Sequence, residues 1–434
     1  MSTFVKNSLW TIFSQGVIFI FGMGISVLIS RFLSPEGRGL YTLALFLPGF
    51  LLYFFSPGIG VAATYYVSNG KYSPKTVLGN SMVCVVLHSV IAIVAGVVVI
   101  NFTRDRLFEG VSIRHLYLTL LILPSQFFMT FVFPIFLGMN KIREYNIFQV
   151  IHYALLFGML ILFFVGFHTG VAGAIAVEAM AGFLTCVVAI FIISKETKGF
   201  SFKIDKTYIK AAYNYGMKMY VGNLFSFLNR RLNLLIINNY LSATAVGFFG
   251  LSQGLSEKVW VVADAIGSVL FPRIASESNK DKKDLYTALV FKVTILVIGI
   301  VSVFLCVLGK ALIVFLYSPV FMESVAPFRY LLIGVVAGSG WRILENDLRA
   351  RGKPGFILCI IVISLIVSVL LNFILIPRWG MTGAVSASVF SSIIGLVASV
   401  LAFNFVSGGK GHLLFWVSRS DLIFFKNTIR TFLR

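Results

Sequence analysis

The chain is a succession of apolar runs about twenty residues long, separated by short connectors, and no other feature limits its fold as strongly. Runs fall near residues 9–31, 40–67, 78–101, 116–138, 147–167 and 172–193. After a polar stretch, six more follow near 219–240, 246–271, 287–308, 327–347, 355–376 and 384–406. Roughly twenty residues cross a hydrocarbon core of about 30 Å. No water satisfies backbone groups there, so each run is expected to be helical. Composition agrees: only 12% of residues are charged and 58% are hydrophobic, whereas soluble chains carry about a quarter charged residues. The expected fold is an all-α membrane protein with about twelve transmembrane helices.

Connector charge sets the orientation. With the N-terminus inside, 23 of the 36 Lys and Arg residues fall on the cytoplasmic side and 7, including Arg31 and Arg38, in outward loops. This is the positive-inside bias, and a missed or extra helix would reverse every later loop. Both termini are therefore expected in the cytoplasm. The net charge of +20 resides mostly in these connectors and not on the clustered soluble face of a nucleic-acid binder, so no nucleic-acid partner is expected. Cys84, Cys186, Cys306 and Cys359 sit inside apolar runs without ligand spacing, which argues against zinc or a disulfide framework. No small-residue cleavage pattern precedes Arg31, so the first run reads as a retained helix.

The polar stretch Ser194–Lys218 divides the chain into a six-helix lobe over 1–197, an amphipathic cytoplasmic linker over 198–218 and a second six-helix lobe over 219–406. A basic amphipathic tail follows over 407–434. Phe200, Phe202, Ile204, Tyr208 and Ile209 in the linker, and Leu422, Phe425, Ile429 and Phe432 in the tail, are expected to lie on the inner membrane surface. The halves resemble each other weakly. Residues 31–41 match 239–249, pairing Ser34 with Ser242 and Gly39 with Gly247. Gly170–Ala174 matches Gly380–Ala384, and Asn140-Lys141 matches Gly352-Lys353. Offsets of 208, 210 and 212 suggest a parallel repeat of six-helix bundles around a central cavity, where transporters of this build place their substrate path.

No catalytic constellation stands out. Gly408-Gly409-Lys410-Gly411 lacks the leading glycine and the Ser/Thr of a phosphate loop, and no paired-Asp motif occupies a loop. What does stand out is charge at membrane depth: Glu178 in run six, Arg230 and Arg231 in run seven, Glu257, Lys258 and Asp264 in run eight, Lys292 in run nine, and Arg342 and Glu345 in run ten. A central charge costs roughly 2.5–3.5 kcal/mol on insertion scales and usually faces a cavity or a partner. Neighbouring Arg230 and Arg231 point about 100° apart, so at least one is expected to face the interior. Glu257 and Asp264, seven apart, share one helical face; with Glu178 they are candidate sites for a coupling cation. Arg342 and Glu345, three apart, can pair with each other. His88 and His152 read as packed residues. Pro48, Pro57, Gly58 and Gly60 in run two, and Pro124 and Pro134 in run four, are expected to bend those helices.

The stretch Ile29-Ser-Arg-Phe-Leu-Ser-Pro-Glu-Gly-Arg-Gly-Leu-Tyr41 resembles the first outward loop of Wzx-type polysaccharide flippases, within the multidrug/oligosaccharidyl-lipid/polysaccharide exporter superfamily. Gly138–Lys141, Arg351–Pro354 and Trp379–Ala384 are similar to later loops of that family. The resemblance implies two lobes around a cavity that opens alternately to each side. It also implies flipping of undecaprenyl-pyrophosphate-linked oligosaccharide across the bacterial inner membrane, with no enzymatic activity and no cofactor. H⁺ and Na⁺ are candidate coupling ions, and other polysaccharide-assembly membrane proteins are candidate partners. Beside it, position and chemistry make Arg230, Arg231 and Lys258 candidates for the pyrophosphate, because basic side chains, arginine above all, meet phosphate oxygens well. Asn223, Asn229 and Asn233 are candidates for sugar hydroxyls. Two alternatives stay open: a cation-coupled drug antiporter of the same superfamily, and a membrane glycan polymerase or glycosyltransferase. A murein-precursor flippase is expected to carry two further helices.

Overall fold

A computed structural model describes residues 3–416 except 198, 200 and 202. The expected amphipathic tail beyond Trp416, and Phe200 and Phe202 of the linker, lie outside the described residues. The helices in chain order are α1 (Thr3–Phe54), α2 (Ile59–Ser68), α3 (Pro74–Leu107), α4 (Ile113–Leu120), α5 (Leu123–Val132), α6 (Pro134–Gly138) and α7 (Ile142–Ile161). They continue with α8 (Val171–Glu196), α9 (Lys206–Tyr240), α10 (Ala243–Glu257), α11 (Trp260–Ser276), α12 (Lys280–Tyr317), α13 (Val325–Ala350) and α14 (Pro354–Val406).

Among the described residues, nine helical stretches are long and apolar enough to cross a membrane. Their outer faces carry large side chains that water would not tolerate: Phe102 is 82% exposed and Phe405 76%. So much exposed apolar surface requires a lipid solvent, and the chain is a multi-pass membrane protein.

Breaks fall where the backbone chemistry demands them. Helices α1 and α14 run for 52 and 53 residues, which as straight rods would measure roughly 80 Å, far beyond a bilayer core. Each is interrupted by one non-helical residue. Ser34 (φ 62°) lies directly before Pro35, whose ring disfavours helical backbone at the preceding position. Gly380 (φ 56°, ψ −133°) occupies a region open essentially to glycine. Of the bends expected from proline, Pro57 and Gly58 separate α1 from α2 and Pro134 starts α6 after α5, whereas Pro48 stays inside α1 without a break. The residues matched between the two halves recur at such breaks. Ser242 lies between α9 and α10, and Asn140 and Gly352 both have positive φ. Gly39 and Gly247 sit so close that a Cβ on either would collide with the backbone around the other.

The chain packs as two compact units, Met1–Gly250 with Val314–Phe321, and Leu251–Ile313 with Met322–Arg434. In the first unit α3 lies on α5, and α7 on α1 and α8. Helix α9 packs there too, against α1, α2 and α3. Its Phe227 ring meets Phe46 at 5.7 Å and Tyr53 at 4.9 Å, and Tyr215 stacks on Tyr65 at 4.6 Å. Packing therefore assigns α9 to the first unit, although the sequence repeat begins a new half with it. At its N-terminus Asp205 accepts from the Thr207 and Tyr208 amides at 2.9 and 3.0 Å. Tyr208, expected on the membrane surface, is instead buried beside Tyr66 and Tyr72, because the capped helix starts early and turns that ring inward.

Two arginines expected in outward loops also have structural partners in this unit. Arg31 donates to the carbonyls of Phe315 and Leu316 at 2.5 and 2.7 Å, the end of α12, where carbonyls lack intrahelical partners and carry the negative end of the helix dipole. Arg38 is buried, donates to the Ser26 carbonyl at 2.9 Å and to the Ser30 hydroxyl, and lies over the Tyr317 ring.

In the second unit α13 packs on α14 and α11. An ion network closes one end. Arg351 bridges Asp284 at 2.9 Å and Asp347 at 2.8 Å, Thr287 donates to Asp347 at 2.6 Å, and Lys410 joins Asp281 and Asp284. Asp284 and Asp347 are almost wholly buried, so these charges are affordable only as a matched set.

Candidate functional site

In the first unit, α5, α7 and α8 enclose a polar cavity of about 490 Å³. Its acid is Glu178 on α8. Gln126 comes from α5, and Tyr145, Gln149, His152 and Tyr153 from α7. The α7 residues recur every three to four positions, so one helical face delivers them together. Among the described residues no cation pairs with Glu178. A half-buried carboxylate without a counter-charge is costly, and amide, phenol and imidazole groups line the same cavity. His152 is a buried side chain that lies 3.5 Å from the Thr185 hydroxyl and borders the cavity. His88 is a packed one: Nδ1 meets the Cys84 carbonyl at 2.7 Å, which makes that nitrogen the donor, and Nε2 accepts from Tyr213 at 2.8 Å. Among the described residues, no group of three or more His, Cys, Asp or Glu side chains is arranged to hold a metal.

Helix α9 carries the second polar feature. It runs for 35 residues, long enough to span, yet is absent from the nine apolar stretches because Asn223, Asn229, Arg230, Arg231 and Asn233 interrupt it. Arg230 lies ten residues, about 15 Å, from the Tyr240 end. Arg230 and Arg231 are both half-buried, whereas Asn223 is exposed. The Asn229 carbonyl oxygen is buried without a hydrogen-bond donor, a group that accepts readily from a hydroxyl.

The charges of the second unit are arranged differently from the sequence expectation. Glu257 ends α10 and Trp260 starts α11, with tight turns through Lys258 and Val259. Glu257 and Asp264, read as sharing one helical face, thus lie on either side of this interruption. Lys258 and Glu257 are half-buried, and Asp264 is exposed. Asp264 pairs with Arg342 at 2.7 Å, and that guanidinium lies 4.4 Å from the Trp260 ring centroid. Glu345 pairs with Arg349 at 2.5 Å and not with Arg342, since the four-residue spacing and the neighbouring α11 supply closer partners than the three-residue spacing. Of the sequence candidates, then, Arg230, Arg231 and Asn223 share one helix, Glu178 sits in its own cavity, and Asp264 is committed to an ion pair. Gln126, Tyr145, Gln149 and Tyr153 escaped the sequence reading. For the three on α7 the signal was a polar stripe at helical spacing within an otherwise apolar run.

Residues 4–278 match the family described as polysaccharide biosynthesis protein. A Shigella flexneri protein named for O-antigen transport is 21% identical over 390 residues, covering 88% of this chain and 93% of its own. A Haloferax volcanii protein named as a flippase of low-salt glycan biosynthesis is 24% identical over 52% of this chain and 48% of its own. The fold is that of a MATE multidrug transporter of the MOP superfamily in its inward-facing conformation, with TM-score 0.73, 16% identity and coverage of 91% and 95%. It is equally that of the lipid II flippase MurJ in an inward closed conformation, with TM-score 0.74, 15% identity and coverage of 99% and 100%. The family match spans well over half of the sequence, and the chain belongs to the polysaccharide biosynthesis protein family, as a transporter or flippase and not an enzyme.

Proposed function

We propose that this protein moves an undecaprenyl-pyrophosphate-linked oligosaccharide, such as an O-antigen or other surface-polysaccharide unit, across the bacterial inner membrane by alternating access. The observation that carries the reading is α9, with two half-buried arginines and an unsatisfied Asn229 carbonyl about 15 Å from its outer end. A pyrophosphate entering low dielectric needs cationic partners, and guanidinium meets phosphate oxygens through two parallel hydrogen bonds. Sugar hydroxyls suit the amide of Asn229. Lys258 is a further candidate for the phosphate and Asn223 for the glycan. The names of the Shigella and Haloferax relatives support the same substrate class.

The topology that serves this function has twelve crossings in two related sets of six. It counts α1 and α14 twice each, on account of the breaks at Ser34 and Gly380, and adds α9 to the nine apolar stretches. The abutting Gly39 and Gly247 support the repeat, because residues on a pseudo-twofold axis meet their own equivalents. Both termini face the cytoplasm. Glu178 and its cavity are the proposed site for H⁺ or Na⁺ coupling.

Deleting the gene tests the function. Lipid-linked glycan is expected to accumulate on the inner leaflet and surface polysaccharide to be lost, with restoration by the wild-type chain. Normal surface glycan in the deletion strain, with no redundant transporter, would contradict it. Arg230→Ala and Arg231→Ala, checked for membrane insertion, locate the headgroup contact. Roughly tenfold slower transport in at least one corresponds to about 1.4 kcal/mol, and unchanged transport in both discards them.

A further inference from the structure

The second unit holds a feature that the proposed transport does not use. Between α12, α13, the later half of α14 and the turn at 410–414 lies a groove of about 710 Å³ with an almost entirely apolar lining. Along α12 its floor is one helical face, running from Lys292 through Gly299 and Ser302 to Cys306. That path measures about 21 Å at 1.5 Å per residue. The nearby membrane boundaries can be placed from the same helix. Lys292 donates to the Trp416 carbonyl at 2.7 Å, and Lys310 lies eighteen residues, about 27 Å, further along, close to the thickness of a hydrocarbon core. The groove therefore lies against lipid along most of that thickness.

Three details give it chemistry. Arg329 stands at the Lys310 end, exposed, with Nε donating to the Cys306 carbonyl at 2.8 Å. A guanidinium has five donors in a planar fork, and this bond fixes the fork at the groove mouth. Ser302 is 6% exposed, and its hydroxyl has no hydrogen-bond partner, although a serine in a helix would ordinarily bond back to a carbonyl. It lies one turn, about 5.4 Å, deeper than Cys306. Gly299 lies one turn deeper again, and nothing stands within 4 Å of where its Cβ would be.

We propose that this groove binds one phosphoglyceride of the membrane, from the leaflet at the Lys310 end of α12. Its phosphate lies on Arg329, an ester carbonyl accepts from the Ser302 hydroxyl, and one acyl chain runs over Gly299 toward Lys292. The order of groups decides the occupant. In a phosphoglyceride the glycerol esters lie between phosphate and chains, which places an acceptor at the depth of Ser302. A polyprenyl phosphate carries hydrocarbon at that depth and leaves the buried hydroxyl unsatisfied, at a cost. None of the residues lining the groove is among those proposed for the glycan-bearing substrate.

Native mass spectrometry of the full chain, released from detergent and titrated with palmitoyl-oleoyl phosphatidylglycerol, tests the site. One tightly retained lipid per chain is expected. Gly299→Phe fills open space, and it should remove that retention while leaving thermal stability unchanged. Arg329→Gln should weaken retention roughly tenfold, about 1.4 kcal/mol. Ser302→Ala should weaken it by a smaller factor, and should leave undecaprenyl phosphate, the comparison lipid, unaffected. Equal retention by wild type and Gly299→Phe would show belt lipid only and overturn the proposal. So would undecaprenyl phosphate displacing phosphatidylglycerol at lower concentration, or a dimer that buries the groove and retains no lipid. If Gly299→Phe does not fold, Arg329→Gln and Ser302→Ala decide: retention unchanged in both rejects the site.

Discussion

The two units hold acids in opposite ways. In the second unit Asp284 and Asp347 are held by Arg351, with Lys410 and Thr287 completing the set. In the first, Glu178 opens into a 490 Å³ cavity lined by amides, phenols and an imidazole. A matched set fixes structure, because every charge is occupied and removing one strands the rest. A carboxylate facing a polar cavity can exchange a proton or a small cation without dismantling its surroundings. Charge at membrane depth is thus two different signals, and only partners tell them apart.

The strongest way to break this contrast is Arg351→Ala. It leaves Asp284 and Asp347 buried without their shared cation, and a loss of about 3–5 kcal/mol is expected, seen as a large fall in thermal midpoint and in detergent-extracted yield. Replacing the triad together, Arg351→Met with Asp284→Asn and Asp347→Asn, should recover much of that loss, since apolar or neutral replacements of whole buried sets are often tolerated. If Arg351→Ala is as stable as wild type, the network is ornamental and the contrast fails.

A smaller effect sharpens it from the other side. Asn229→Ala removes a buried acceptor that has no internal donor, so stability should stay within about 0.5 kcal/mol, while transport of a glycan-bearing substrate slows several-fold. A stability loss with unchanged transport would make Asn229 a packing residue.

How much of this was legible in the chain depends on what each inference required. Helix positions followed from hydropathy, and the bends at Pro57 and Pro134 from proline chemistry, because both are local. Charge pairing was not local. Arg342 could be assigned to Glu345 by spacing, but α11 brings Asp264 nearer. Glu257 and Asp264 read as one continuous helix, and hydropathy does not register the two-residue interruption at Lys258 and Val259. Arg38 read as a loop charge because nothing in the sequence shows that Ser26, Ser30 and Tyr317 converge on it. The Glu178 cavity was half visible: its acid stood out, while its glutamines and tyrosines hid in a periodicity that counting charges does not detect.

The smallest expected effect comes from a half-buried acid at the start of α9 that serves as a control for both. Asp205 accepts hydrogen bonds from the Thr207 hydroxyl and the Tyr208 amide at the start of α9, and these hold its carboxyl below the usual range. A depressed carboxylate contributes stability above its unfolded-state pKa, and that stability is lost as pH falls through the folded value. Wild type should therefore lose slightly more thermal stability than Asp205→Ala on acidification below the ordinary carboxylate range. Identical pH profiles would show that the cap contributes nothing.

The central claim, that the unpaired acid of the first unit works in transport while the paired acids of the second hold structure, is tested most directly by Glu178→Gln. The assay reconstitutes the chain in proteoliposomes with a polyprenyl-pyrophosphate-linked oligosaccharide and an imposed H⁺ or Na⁺ gradient. The variant should match wild type in thermal midpoint, flip the glycan at least about tenfold more slowly, and lose its response to the gradient. Gradient-driven flipping at the wild-type rate, or a variant that unfolds as Arg351→Ala is expected to, would contradict the claim.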